Sequence, residues 1–150
     1  MASVKDLIAK GFIDVDDEIT FRTHADVLML FGRDHNVFQR AFAKHPIEPD
    51  VYIWFPIFGY DPANEWENSK RGDWETVFER RIEDNQGYLA EITNRLDQHK
   101  RILFSKDSVS KAYRFRGIYL FDSEVSALAK KAAYRRIATS VELVSSNQVS

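Results

Sequence analysis

The chain has 150 residues, of which 44% are hydrophobic and 29% charged, a size and composition that predict one folded domain and exclude a disordered chain. It contains no cysteine, which excludes disulfides, thiolate metal sites and a cysteine nucleophile. Because no apolar run approaches the roughly 20 residues of a membrane helix and the N-terminus lacks a signal-peptide pattern, we expect a cytoplasmic protein without membrane contact.

The first 50 residues predict short helices around one strand. Capping residues and apolar spacing favour helices over residues 4–10 and 35–44. The alternation over residues 19–22 is typical of a strand. Residues 27–31 fit either a short helix or a buried strand, and the pattern alone leaves both open.

The middle of the chain is richer in strands. Residues 51–58 are apolar on both faces, as in a strand covered on each side, and Pro56 indicates an edge or a bulge. A polar loop is expected over residues 59–72. Residues 74–82 alternate as a half-exposed strand, and residues 86–99 carry one apolar helical stripe.

The last third predicts an antiparallel hairpin formed by strands over 102–104 and 113–121, with a turn over 107–111. A helix beginning at Ser123 and a closing strand over 134–144 follow, and residues 145–150 form a flexible tail. In the second hairpin strand, one face is predicted to hold Tyr113, Phe115, Tyr119 and Phe121, and the other Arg114 and Arg116.

Strands that follow one another through short turns, with helices inserted between pairs, predict an α+β fold. We expect a single domain over residues 1–144. Its form is a curved, mostly antiparallel sheet or a small β-barrel with flanking helices, and the barrel is the preferred form.

Charge is distributed unevenly along the chain. From residue 100 onward ten lysines and arginines accompany four acidic residues, a balance of +6, so the first 99 residues carry −8. This asymmetry predicts a surface that meets an anion such as nucleic acid, or else charge spread over solvated faces.

Three tryptophans surround the predicted loop, together with amides and cations. Flat aromatic faces suit a planar base, whose edge an amide can hydrogen-bond while cations hold the neighbouring phosphates. The residues predicted to bind nucleic acid are Trp54, Trp66, Asn68, Lys70, Arg71, Trp74, Arg114 and Arg116, and Asn64 lies in the same loop.

These residues also have purely structural interpretations. Trp54 lies on a strand that is apolar throughout, so it also fits the core, and Trp66 can pack the loop against the rest of the domain. The two arginines of the second hairpin strand can pair across the sheet with Glu75 and Glu79 instead of with phosphates.

Two segments carry a family resemblance. The hairpin sequence RILFSK at 101–106 followed by YRFRGIYLF at 113–121 resembles that of PUA/SRA-like modules attached to restriction endonucleases. The sequence VKDLIAKGFI at 4–13 resembles the leader of small domains associated with restriction and adenine-methylase proteins. This resemblance implies a β-barrel that reads DNA, with a modified base flipped into an aromatic pocket, in a restriction or defence system.

Two other functions stay open. One is a protein-binding inhibitor or counter-defence factor that uses the acidic first two-thirds of the chain. The other is a divergent metal-dependent nuclease that uses Asp50 with Glu65, Glu67 or Glu75. Without a metal, these glutamates and Glu79 fit a solvated acidic rim. No catalytic residue, metal ligand or cofactor is assigned, and DNA is the expected partner, with a protein of a defence system as the second.

Overall fold

The computed structural model describes residues 4–31, 42–45, 50–58, 65–94, 100–106 and 110–143. Its helices are α1 (Val4–Lys10), α2 (His24–Met29), α3 (Asn85–Asn94) and α4 (Ser123–Ala129), with a 3-10 turn at Val15–Asp17. Its strands are β1 (Phe12–Asp14), β2 (Thr20–Phe21), β3 (Phe42–Lys44), β4 (Val51–Trp54), β5 (Trp66–Arg71), β6 (Thr76–Arg81), β7 (Lys100–Lys106), β8 (Tyr113–Phe121), β9 (Ala132–Ala138) and β10 (Ser140–Glu142).

Most strands form one sheet. Seven of them follow the order β3-β4-β7-β8-β9-β6-β5, and β2 pairs with β8 as an eighth strand. The β4–β7 pairing is parallel and the other ladders of this sheet are antiparallel. The strands β1 and β10 form a separate antiparallel pair. The predicted α+β class with a mostly antiparallel sheet is confirmed.

The sheet curls back on itself without closing. After β4, Ile57 forms a single parallel bridge to Lys106 of β7, and Phe58 forms one to Asn68 of β5. The segment that follows β4 therefore touches the far edge strand, which requires a strongly curved sheet. Among the described residues these are isolated bridges and no ladder joins the two edges, so the structure takes the curved-sheet form and the preferred barrel is wrong.

A bulge in β8 changes which way its side chains point. Consecutive residues of β7 pair with Phe115 and with Gly117, so Arg116 is an extra residue in the ladder, and Gly117 has a φ of 128°. One extra residue reverses the alternation of a strand. Tyr113 therefore packs on one side of the sheet and Tyr119 on the other, so the prediction that the aromatic residues of β8 share a face is wrong.

Two hydrophobic cores result, one on each side of the sheet. The first core packs α1 and α2 against the sheet and includes Leu7, Val27, Phe104 and Phe115. The second core lies beneath α3, and its buried members are Trp54, Val77, Tyr88, Ile92, Leu103, Tyr119, Ala132 and Tyr134. Both sides of the central strands are thus covered by apolar groups, which accounts for their largely apolar sequences.

The predicted loop over 59–72 is largely wrong, because residues 66–71 form β5; residues 59–64 lie outside the described part. The strand expected over 51–58 ends at Trp54, two residues before Pro56, which has no backbone N–H to donate to a ladder. In the helix expected over 35–44, residues 42–44 are the strand β3, and the preceding residues again lie outside the described part.

Other boundaries differ more modestly. The strand predicted over 74–82 begins two residues later, and the closing strand over 134–144 divides into β9 and β10 around Thr139, whose carbonyl accepts from the Val15 amide. Of residues 27–31, the first three end α2 and Leu30 is its C-cap, so the helix is the correct alternative. The helix predicted to residue 99 is observed through Asn94, and its last residues, like the tail, lie outside the described part.

Within the described ranges every helix is too short and too polar to cross a bilayer.

Candidate nucleic-acid interface

Trp54 is a core residue, as its apolar strand also allowed. It is only 3% exposed, and its ring meets the Tyr134 ring edge-on at a centroid distance of 5.3 Å. The guanidinium of Arg101 lies 4.8 Å from the Trp54 ring centre. Trp54 therefore shapes the second core and presents no open stacking face.

Trp66 begins β5 and is half-buried at the border of the second core. Its ring meets Tyr88 of α3 edge-on at 4.7 Å, and the Arg81 guanidinium lies 5.8 Å from its centre. Trp66 thus joins the edge strand to the helix rather than holding down a loop. Its partial exposure leaves part of the indole available to a ligand.

Trp74 occupies the turn between β5 and β6 in a left-handed conformation, with a φ of 63°. The Tyr119 hydroxyl donates to the Trp74 carbonyl at 2.6 Å and holds this turn against the sheet. The indole packs edge-on against Phe58 at 4.9 Å. The Arg116 guanidinium lies 4.1 Å and the Lys70 ammonium 5.1 Å from its centre, so three predicted residues meet at one half-exposed ring.

The two arginines of β8 have other partners than Glu75 and Glu79. Arg116 donates from Nε to the Ser105 hydroxyl at 2.9 Å, and Arg114 lies 3.6 Å from the Glu18 carboxylate. Because Ser105 pairs with Arg114 in the β7–β8 ladder, the two arginines are joined through it. They extend the Trp74 surface along β8.

Arg71 lies apart from the other predicted residues. Successive side chains on a strand point to opposite faces, so Arg71 leaves β5 on the side away from Lys70. Its guanidinium lies 5.5 Å from the centre of the Phe78 ring on the outer face of β6. Arg71 therefore belongs to another face of the sheet than Lys70 and Trp74.

A buried polar cluster lies between these tryptophans. Glu79, on the inner face of β6, accepts a short hydrogen bond from the Tyr88 hydroxyl and lies 3.5 Å from the Arg101 guanidinium. The Tyr88 and Tyr134 hydroxyls are 3.1 Å apart, and Arg101 lies 4.2 Å from the Tyr134 ring centre. We call Glu79, Tyr88, Arg101 and Tyr134 the Glu79 cluster.

Burial fixes the protonation of the phenols in this region. Desolvation raises the pKa of Tyr88 far above its ordinary value, with the Glu79 carboxylate as a second cause. Desolvation likewise raises the pKa of Tyr119 to about 12. Both phenols therefore stay protonated near neutral pH and act as donors, Tyr88 to Glu79 and Tyr119 to the Trp74 carbonyl.

Asn68 completes the cluster from the neighbouring strand. It lies directly opposite Glu79 in the β5–β6 ladder and is only 4% exposed. Its Nδ2 donates to the Ile57 carbonyl at 3.2 Å, which fixes the orientation of the amide. Its Oδ1 has no hydrogen-bond partner among the described residues, although a buried unpaired acceptor is costly. This atom is therefore a candidate ligand contact.

No sequence pattern predicts a functional role for Glu79, Tyr88, Arg101 or Tyr134. Glu79 was placed in a solvated acidic rim, yet it is 8% exposed. One signal was available, because Glu79 shares a strand face with Val77 and burial of the valine implies burial of the glutamate. A second signal was Arg101, because an arginine inside the apolar strand β7 indicates a buried acidic partner.

The carboxylates of the nuclease hypothesis are engaged elsewhere. Glu65, just before β5, pairs with Arg81 at 3.3 Å, and Glu67 pairs with Arg80 at 3.2 Å. Within the described ranges no group of three histidine or acidic side chains is arranged to hold a metal ion. The structure therefore lends this hypothesis no support.

Comparison with known proteins shows similarity to a domain family and to a solved structure. A family model described as the SET and RING associated (SRA) domain matches residues 6–143. The solved structure titled "The 5-Hydroxymethylcytosine-Specific Restriction Enzyme AbaSI" is similar, with a TM-score of 0.77 and 28% sequence identity over 95% of this chain and 46% of that chain. The chain thus spans about half the length of that enzyme. A comparison with curated proteins gives no match.

Proposed function

Because the chain belongs to the SET and RING associated (SRA) domain family, we propose that it is a DNA-binding module that reads a modified cytosine. The similarity to a 5-hydroxymethylcytosine-specific restriction enzyme supports this substrate and a restriction context. We further propose that residues 1–144 act as one binding domain, in the cytoplasm. The chain spans only part of that enzyme, so the proposal covers reading, and any cleavage would come from another segment or a protein partner.

The observation that best supports this proposal is the unpaired Oδ1 of Asn68, which lies beside the buried Glu79 carboxylate. Both groups are hydrogen-bond acceptors, and the amide cannot turn without losing its bond to the Ile57 carbonyl. The exocyclic amino group of cytosine offers donors, whereas thymine has a carbonyl at the same place. Two fixed acceptors therefore suit cytosine.

A base inside a duplex cannot reach a buried carboxylate, so reading at Glu79 requires that the base leaves the helical stack. The cost of unstacking is a few kcal/mol, which aromatic contacts in the site can offset. Trp66 borders the cluster and packs against its member Tyr88, and these two rings supply such contacts. The half-buried position of Trp66 makes it the indole best placed for a flipped base.

The neighbouring phosphates would lie along the surface of Trp74. Lys70 and Arg116 already converge on this ring, and Arg114 continues the row of cations along β8. Contacts to phosphate position the DNA, while the Glu79 cluster supplies the base preference. The net charge of −2 argues against strong binding to DNA of any sequence at physiological salt.

The test is fluorescence-anisotropy binding to duplexes that differ at one cytosine, which is plain, 5-methylated or 5-hydroxymethylated. We expect one modified duplex to bind at least about tenfold more tightly than the plain duplex at physiological salt. The Asn68→Leu and Glu79→Gln variants should lose most of the affinity for that duplex, because they remove acceptors for the amino group of the flipped cytosine. Glu67→Gln is the matched control, because Glu67 precedes Asn68 on β5 and faces the other side.

Equal affinity for all three duplexes at physiological salt would refute the proposed function. Undiminished affinity for the modified duplex in both Asn68→Leu and Glu79→Gln would keep the function but remove the Glu79 cluster from it. Urea unfolding of each variant distinguishes a lost contact from a lost fold.

A further inference from the structure

The outer face of the β5–β6 hairpin carries an arrangement that the base-reading site does not use. Phe78 points away from Glu79, and its partners in the two adjacent ladders are Ser69 and Ala133. Because these two neighbours are small, they leave space above the ring. Two cations cover it instead, with the Arg71 guanidinium 5.5 Å and the Lys131 ammonium 4.8 Å from its centre.

The other charges of this face are already paired. Glu67 is held by Arg80 at 3.2 Å, and Asp122 by Arg135 at 3.6 Å. Within the described ranges no carboxylate lies within ion-pair distance of the two cations on Phe78. The nearby Glu75 leans toward the turn, where a Cβ added at Gly72 would lie 2.9 Å from its carboxylate.

From this arrangement we infer that Arg71 and Lys131 form a second phosphate-binding site, which contacts the phosphodiester backbone of nucleic acid. The two charges are no farther apart than the sum of their distances to the ring centre, so one phosphate or two successive phosphates can reach both. Arginine suits bidentate contact with phosphate oxygens, and lysine adds a point charge. The Phe78 ring holds both side chains in place and lowers the entropic cost of ordering them.

The inference rests on the proposed DNA-reading function and extends it to a surface that faces away from the base. Lys70 and Arg71 are neighbours on β5 and leave it on opposite sides. One end of the hairpin therefore offers cations to phosphates on both of its faces: Lys70 with Arg116 on the inner side, and Arg71 with Lys131 on the outer side. Contacts on the outer side add affinity that does not depend on the base.

The test compares the salt dependence of DNA binding for the full chain and for the double variant Arg71→Gln/Lys131→Gln. Glutamine keeps part of the aliphatic chain over Phe78 and removes the charge. Because each phosphate contact contributes about −0.9 to the slope of log affinity against log salt, the slope should become less negative by about 1 to 2. The preference for the modified base should not change.

The matched control is Lys5→Gln/Arg22→Gln, which removes one lysine and one arginine that are exposed elsewhere. An unchanged slope in Arg71→Gln/Lys131→Gln overturns the inference even if base preference persists, and would point to an acidic protein surface as the occupant. A changed slope supports it. The binding stoichiometry then shows which DNA molecule supplies these phosphates. One duplex per protein indicates that the duplex bound at the base-reading site also contacts Arg71 and Lys131. Two duplexes per protein indicate that a second duplex does so.

Discussion

The Glu79–Arg101 pair gives a prediction whose size follows from its geometry. The two side chains are 10% and 8% exposed, and their charged atoms are 3.5 Å apart. In Glu79→Gln the new amide oxygen can still accept from Tyr88, but the buried Arg101 loses the carboxylate charge that lies 3.5 Å from its guanidinium. Breaking a buried ion pair on one side typically costs about 3–5 kcal/mol.

The expected cost in this protein lies at or below the lower end of that range. The contact is long for an ion pair, and Arg101 keeps its contacts with the faces of Tyr134 and Trp54, which are worth about 0.5–2 kcal/mol each. We therefore expect Glu79→Gln to lower the free energy of unfolding by about 2–3 kcal/mol. The measurement is urea unfolding followed by tryptophan fluorescence, since Trp54 lies against the cluster.

A double-mutant cycle isolates the pair. Combined with Arg101→Met, Glu79→Gln should cost less than the sum of the single variants, with a coupling of about 1–2 kcal/mol. Glu67→Gln is the control, because its pair with Arg80 is more exposed and should contribute only about 0.2–1 kcal/mol. A loss below about 0.5 kcal/mol for Glu79→Gln, with additive effects in the cycle, would refute the reasoning.

Trp74→Ala removes the ring on which two cations converge, and we expect DNA binding in the anisotropy assay to weaken by about 1–3 kcal/mol while thermal unfolding stays cooperative. Gly117→Ala should lower the unfolding free energy in urea by about 2–3 kcal/mol, because its Cβ would lie 2.7 Å from the Ala138 carbonyl at a φ of 128°. Burial, with the charge of Lys106, lowers the pKa of His24 below its ordinary 6.5, so the unfolded chain binds more protons at this site than the folded one. Stability should then fall as pH drops from about 7 to 5.5. Over that range the melting temperature of the His24→Phe variant should decrease less than that of the parent protein.

Each of these outcomes can contradict the structure. Trp74→Phe keeps an aromatic face and should keep most of the affinity, so equal affinities for the alanine and phenylalanine variants would remove Trp74 from the DNA interface. A Gly117→Ala variant as stable as the parent would show that β8 does not need the bulge conformation. Parallel pH profiles for His24→Phe and the parent would assign the acid sensitivity to other groups.

Elements whose signals are local could be predicted from the sequence. Capping residues and apolar spacing set the bounds of α1 correctly, and the alternation over 113–121 gave β8 its full length. The resemblance to PUA/SRA-like modules is confirmed by the family match. The strand β5 was missed because its inward positions hold Asn68 and Lys70, and polar residues at inward positions look like a loop.

The residues of the candidate site that stand out by their type could be predicted from the sequence. Those whose role depends on contacts between distant parts of the chain could not. Trp74, Lys70 and Arg116 are together as expected, since aromatic and cationic residues were the pattern sought. The ion-pair partner of Glu79 could not be derived locally, because that arginine lies on another strand, 22 residues away. The face on which Arg71 lies could be predicted only if residues 66–71 were recognised as a strand.

The bulge at Arg116 limits how this domain can be altered. Downstream of it, β8 supplies Tyr119 to the base-reading side, and upstream it supplies Phe115 to the opposite core. Deleting a single residue here would shift every later side chain to the wrong face, whereas a substitution disturbs only its own position. Under the proposed function, a library built to retarget the domain should vary the side chains around Glu79 and keep the length of β8, because an insertion or deletion there would move the later side chains to the opposite face.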